Sequence, residues 1–140
     1  MKLLYFIYKI ENSGGTERIV LSKINYLANQ PGYEVYLSYF GNDKSFFPID
    51  EKVHLLPLDD SNSSGSSTRL LRFFKLIKKV KAVIRECNPD VIVNTNTIFV
   101  NWILPFVFKK ISKAIELHFS YDGFKIMAAH SDKSKFHIVT

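Results

Sequence analysis

Short β-rich runs alternate with helix-patterned segments along almost the whole chain, and this alternation limits its possible folds more sharply than any other feature. Lys2 to Tyr8 is nearly all apolar or aromatic, as expected for a strand covered on both faces. The turn Asn12-Ser13-Gly14-Gly15 follows. From Thr16 to Asn29 the residues Val20, Ile24, Leu27 and Ala28 recur at helical spacing, and Pro31-Gly32 ends the pattern. Glu34 to Phe40 and Val53 to Leu58 read as two further strands, the second leading into a serine-rich loop, Asp59 to Ser67. Thr68 is a good N-cap for the next helix, in which Leu70, Phe73, Phe74, Ile77, Val80 and Ile84 form an apolar stripe and Asn88-Pro89 the stop. Asp90 to Val93 predicts a fourth strand and Thr97 to Lys109 a helix kinked or broken at Pro105. Lys113 to His118 predicts a fifth strand and Phe136 to Val139 a sixth.

Crossover helices between strands imply an α/β fold, a Rossmann-like three-layer sandwich whose sheet is mostly parallel with right-handed connections. The 140 residues suit one domain with one core. The lone Cys87 cannot form an intrachain disulfide, which predicts a reducing, cytoplasmic setting, and its place on a helix suggests packing rather than a catalytic thiol. The apolar N-terminus is too short for a signal peptide and lacks a cleavage site, and Ile98 to Phe108 is too short to span a bilayer. A soluble domain is expected.

In open parallel sheets ligands bind beyond the carboxyl ends of the strands. Five loops therefore matter: Lys9 to Gly15, Phe40 to Asp50, Asp59 to Ser67, Asn94 to Thr97 and His118 to Phe124. Gly14-Gly15-Thr16-Glu17-Arg18 opens the first helix, where two glycines admit close approach and free N–H groups favour an anion such as a phosphate. The G-x-G-x-x-G and G-x-x-x-x-G-K-[ST] patterns are absent. His118 can donate a hydrogen bond to a sugar hydroxyl or a phosphate, although alone it reads more often as a satisfied structural histidine. The other histidines share no metal-ligand spacing, and one cysteine assembles no zinc pattern, so no metal site is expected.

The net charge of +6 favours anionic partners, and the excess concentrates in Arg69, Arg72, Lys75, Lys78, Lys79, Lys81 and Arg85. These residues read either as a solvated helix face or as a contact with an anionic membrane. Nucleic acid is not expected, because Phe73 and Phe74 fall on or near the apolar stripe and leave no exposed aromatics among the cations.

Gly14-Gly15-Thr16-Glu17-Arg18, then Gly32-Tyr33-Glu34-Val35, Asn88-Pro89-Asp90-Val91-Ile92, and Glu116-Leu117-His118 with Asp122-Gly123 occur in this order. Together they resemble the N-terminal half of the GT-B glycosyltransferases of family four, where the corresponding runs are typically Gly-Gly-Ala-Glu-Arg, Gly-His-Glu-Val and Lys-Pro-Asp-Val-Val. The resemblance implies a cleft between two Rossmann-like halves, a nucleotide-sugar donor, retention at the transferred sugar, and no required metal or other cofactor. It assigns Gly14 and Gly15 to the donor diphosphate, with Thr16 beside them as a further phosphate-binding candidate, and His118, as the catalytic residue, to the donor sugar. It gives this half mainly to the acceptor, a glycan or lipid-linked molecule, for which Asn94, Asn96, Tyr121 and Asp122 in the strand-end loops are the candidate contacts. Thr16 stands where the family has alanine, and Tyr33 where it has histidine. The family's second half, with its paired glutamates, is not in these 140 residues, so residues 1–140 are expected to be an incomplete N-terminal domain, inactive alone and cytoplasmic, with peripheral contact at the inner face of the membrane as the alternative to a solvated basic helix. The competing expectation is a non-catalytic, flavodoxin-like binding or assembly module that uses the basic helix.

Overall fold

The computed structural model describes residues 1–41, 43–58, 69–95 and 97–118. The elements are β1 (Lys2–Ile7), α1 (Gly15–Ala28), β2 (Glu34–Tyr39), β3 (Val53–Pro57), α2 (Arg69–Cys87), β4 (Val91–Thr95), α3 (Ile98–Ile103) with a 3₁₀ turn (Leu104–Phe106), and β5 (Ser112–Glu116). The strands form one sheet in the order β3-β2-β1-β4-β5, and every neighbouring pair is parallel. This is the α/β, Rossmann-like arrangement expected from the alternation. The sixth strand, the serine-rich loop and Thr68 lie outside the described residues.

The sheet is buried from both sides because β1 alternates its large side chains. Leu3, Tyr5 and Ile7 pack with Val20, Leu21 and Ile24 of α1. Leu4 and Phe6 point the other way, into a cluster with Val80 and Ile84 of α2 and Val100 and Ile103 of α3. A strand enclosed in this way has no polar face to show, hence its continuous apolar run. The β2–β3 connection is held by Asn25 of α1, whose Nδ2 donates to Pro48 O at 2.9 Å while its Oδ1 accepts from Asp50 N at 2.9 Å. Gly32, at φ +83° just before β2, occupies the left-handed region that glycine enters without cost.

Three differences from the sequence reading have physical causes. β4 runs two residues further than expected, to Thr95, because that residue still pairs with Ile7 and Glu116. Conversely, β5 ends at Glu116, so His118 lies two residues beyond the strand. Helix α3 stops at Ile103, and Val107 is already extended, because the Leu104–Phe106 turn takes up Pro105.

The fourth difference concerns α2. Val80 and Ile84 are buried, but Leu70, Phe73 and Phe74 are 39% to 64% exposed, so the helix enters the core only in its later turns. The apolar stripe is continuous in the sequence and covered only in part. This removes the ground on which nucleic acid was set aside, since aromatic rings do stand exposed among the cations. Cys87 is buried, its Sγ donates to Val83 O at 3.1 Å, and burial pushes the thiol up to about 11, so it behaves as a packing residue.

Candidate active site

All five strands end at one edge of the sheet, and the α1 start, the β4–α3 turn and the segment after β5 gather there. Helix α1 begins with Gly14 as N-cap and with no side-chain capping bond, and its first intrahelical bond is Arg18 N to Gly14 O at 3.1 Å. The amides of the first turn are therefore not taken up by a cap, which is the arrangement an anion can use.

The two glycines differ. A Cβ on Gly15 would meet nothing within 4 Å, so its backbone faces open space. A Cβ on Gly14 would meet Glu17 Oε2 at 2.3 Å, so a carboxylate already sits against that residue. Asn12 Nδ2 donates to the other oxygen of Glu17 at 3.4 Å. The turn is therefore open on the Gly15 side and carries a carboxylate on the Gly14 side. Sequence reasoning treated the pair as equivalent, and Glu17 separates them.

On the α1 face of the sheet, Glu116 is gripped by Lys23, whose Nζ lies 2.8 Å from each carboxylate oxygen. The ring of His118 is mostly buried, with Nε2 3.4 Å from Glu116 Oε2. That nitrogen makes no hydrogen bond of acceptable geometry. With Nε2 turned towards Glu116, Nδ1 is the nitrogen left for a ligand. A fixed carboxylate behind an imidazole is a common means of orienting it. Tyr5 lies beneath this group: burial first, and the nearby Glu116 charge second, push its phenol up to about 12. Lys23 and Glu116 were missed by sequence reasoning. Ninety-three positions separate them, and only the sheet order brings α1 within reach of β5.

The candidates on β4 fare differently. Asn94 is fully buried, and its Nδ2 donates to Thr97 O at 3.0 Å and to Asn101 Oδ1 at 2.5 Å, closing the turn into α3. Only its Oδ1 has no hydrogen-bond partner, so Asn94 supports the rim before it offers anything to a ligand. Thr16 sits partly buried in the first turn of α1. Asn96, Tyr121 and Asp122 lie outside the described residues. Among the described residues no three His, Cys, Asp or Glu side chains group as metal ligands, and no helix is long and apolar enough to cross a membrane.

No family model matches the chain. It is 32% identical over 92 residues to an uncharacterized glycosyltransferase of Haemophilus influenzae, which covers 66% of this chain and 25% of that protein. It is 34% identical over 80 residues to the amylovoran biosynthesis glycosyltransferase AmsD of Erwinia amylovora, covering 57% of this chain and 21% of that protein. The chain thus spans about a quarter or less of the length of the curated relatives it matches. An all-parallel α/β sheet that gathers an uncapped helix start and a carboxylate-backed histidine at one edge is, in sequence, related to glycosyltransferases.

Proposed function

We propose that these 140 residues are the acceptor-side domain of a retaining GT-B glycosyltransferase of family four, which moves a sugar from a nucleotide-sugar donor to a glycan or lipid-linked acceptor. The observation that carries this reading is that the open α1 start and His118 both lie at the carboxyl-end edge of the parallel sheet, in a chain similar to two glycosyltransferases.

In this reading the amides of Gly15 and Thr16 approach the donor diphosphate from the side that Glu17 leaves clear. His118 Nδ1 accepts from a hydroxyl of the donor sugar, with Nε2–H facing the Glu116 carboxylate that Lys23 fixes. Asn96, Tyr121 and Asp122 contact the acceptor, and Asn94 braces the start of α3 through Thr97 and Asn101. Rate comes from positioned donors acting on charge that develops as the sugar leaves its phosphate, without a protein nucleophile or a metal. The rest of the donor site belongs to a second Rossmann-like half.

The 140-residue chain alone is therefore expected to show no sugar transfer, and turnover of any nucleotide sugar above background hydrolysis would refute the split site. Inorganic phosphate is expected to bind it weakly, in the millimolar range of about −4 kcal/mol. Gly15→Val should abolish that binding by filling the open side of the turn, whereas Glu17→Gln should tighten it by about 0.3–1 kcal/mol through loss of the competing charge. Phosphate-induced NMR shifts read both effects. Shifts that cluster on α2 and leave Gly15 and Thr16 unmoved would show the site to be wrongly placed.

A further inference from the structure

Among the described residues, the face of the sheet that carries α2 and α3 has much apolar surface exposed. Leu70, Leu71, Phe73 and Phe74 in the first turns of α2 are 39% to 64% exposed. Ile98, Phe99 and Trp102 of α3 and Phe106 of the following turn are 54% to 81% exposed. A groove of about 730 Å³ runs between the two helices, with Tyr8 and Phe40 at the strand ends, Leu70 and Phe73 on one side and Phe99 on the other. Single exposed apolar residues are ordinary, but a contiguous set of this kind marks an interaction surface.

The charge distribution says what the surface meets. Residues 69–113 hold ten of the 19 lysines and arginines but two of the 13 acids, so this part of the chain is cationic while the remainder is slightly acidic. Lys75 and Lys78 are exposed beside Leu71 and Phe74 on α2, whereas Ile98 to Phe106 contains no charged residue. Cations flanking an uncharged aromatic and aliphatic tip match the layering of an anionic bilayer surface, with phosphates outside and acyl chains within. A tryptophan at such a tip is typical of the membrane–water interface.

We propose that this face docks on an anionic membrane, with Phe74, Phe99, Trp102 and Phe106 entering the boundary between headgroups and acyl chains and Lys75 and Lys78 meeting lipid phosphates. Phe74, which the sequence places in the apolar stripe of α2, acts here as one of the inserting groups. Single-stranded nucleic acid fits less well, because Leu70, Leu71 and Ile98 offer no face for base stacking and the α3 tip has no cation to follow a phosphate backbone. A second copy of the chain would oppose two cationic faces. The proposal is independent of sugar transfer, and either can fail without the other.

Trp102 is the single tryptophan and reports on its own insertion. With vesicles of phosphatidylglycerol and phosphatidylcholine its emission is expected to shift to the blue and to be quenched by lipids brominated along the acyl chain. Phosphatidylcholine vesicles alone should leave it unchanged. Lys75→Gln combined with Lys78→Gln should lower the partition coefficient about 30-fold, equivalent to about 2 kcal/mol at about 1 kcal/mol per cation. Phe74→Ser combined with Phe106→Ser, both on exposed positions, should preserve the NMR spectrum of the core and remove the quenching. The proposal is overturned by emission that ignores anionic vesicles, by an equal response to neutral ones, or by quenching that survives the double phenylalanine variant. It is equally overturned if single-stranded oligonucleotide displaces the chain from vesicles and itself produces the blue shift, or if the shift appears on concentrating the chain without lipid.

Discussion

Between pH 10 and pH 12 the domain is expected to lose about 3 kcal/mol of stability through Tyr5 alone. Its phenol is pushed up to about 12 by burial in the centre of the sheet and by the neighbouring Glu116 charge. In this window the unfolded chain has released the proton that the folded chain retains, so unfolding becomes more favourable as pH rises. The contribution is complete below pH 10 and is lost as pH passes through the folded value. Tyr39 adds to the loss, since burial first and its bond to Asp43 Oδ1 at 2.7 Å second also raise its phenol. Urea midpoints measured from pH 8 to pH 12 should fall steeply above 10 with the slope m unchanged. Glu116→Gln should lower the titration midpoint of Tyr5 without returning it to 10, because burial, the larger cause, remains. A flat stability profile to pH 12 would contradict the burial of Tyr5 against a charged Glu116.

In a polypeptide that carries both halves of the proposed enzyme, His118→Ala is expected to lower kcat/KM about 10²–10³-fold, the usual effect of losing one positioned hydrogen-bonding group at the reacting centre. Stability should change little, since His118 Nε2 makes no hydrogen bond in the fold. Glu116→Gln and Lys23→Met should act through the same ring, with smaller losses concentrated in kcat rather than KM. Combined with His118→Ala, either should add almost nothing, because residues acting as a unit are not additive. Additive losses would show that Lys23 and Glu116 serve the fold and not the histidine.

Most strands were legible in the sequence because they are short, apolar and punctuated by glycine, proline or asparagine, and the parallel arrangement followed from the helices between them. Yet β5 carries Ser112, Lys113 and Glu116, and no helix is described between the parallel β2 and β3. What was not legible was how far each helix is covered. The stripe on α2 has the same period at Phe73 as at Val80, yet only the sheet decides that Val80 has something to pack against. Asn94 looked like a rim residue because it ends an apolar run, and the structure buries it because β4 continues one residue further. Gly14 and Gly15 could be placed at a helix start from sequence, but the Glu17 carboxylate beside one of them depends on the helix curling back on its own first turn. The Lys23–Glu116 pair carried no local signal at all.

The central place of β1 has a consequence for how the chain folds. Its first neighbour arrives early, with Lys2 opposite Glu34, but its second partner places Leu3 opposite Val91, nearly three times as far along the sequence. Closing the longer loop costs about 1 kcal/mol more in chain entropy than closing the shorter one. The β1-α1-β2 unit is therefore expected to form first, leaving one edge of β1, with Leu4 and Phe6 beside it, open until β4 docks. For that interval a newly made chain presents an unpaired, strongly apolar strand edge, the kind of template on which chains aggregate and chaperones act.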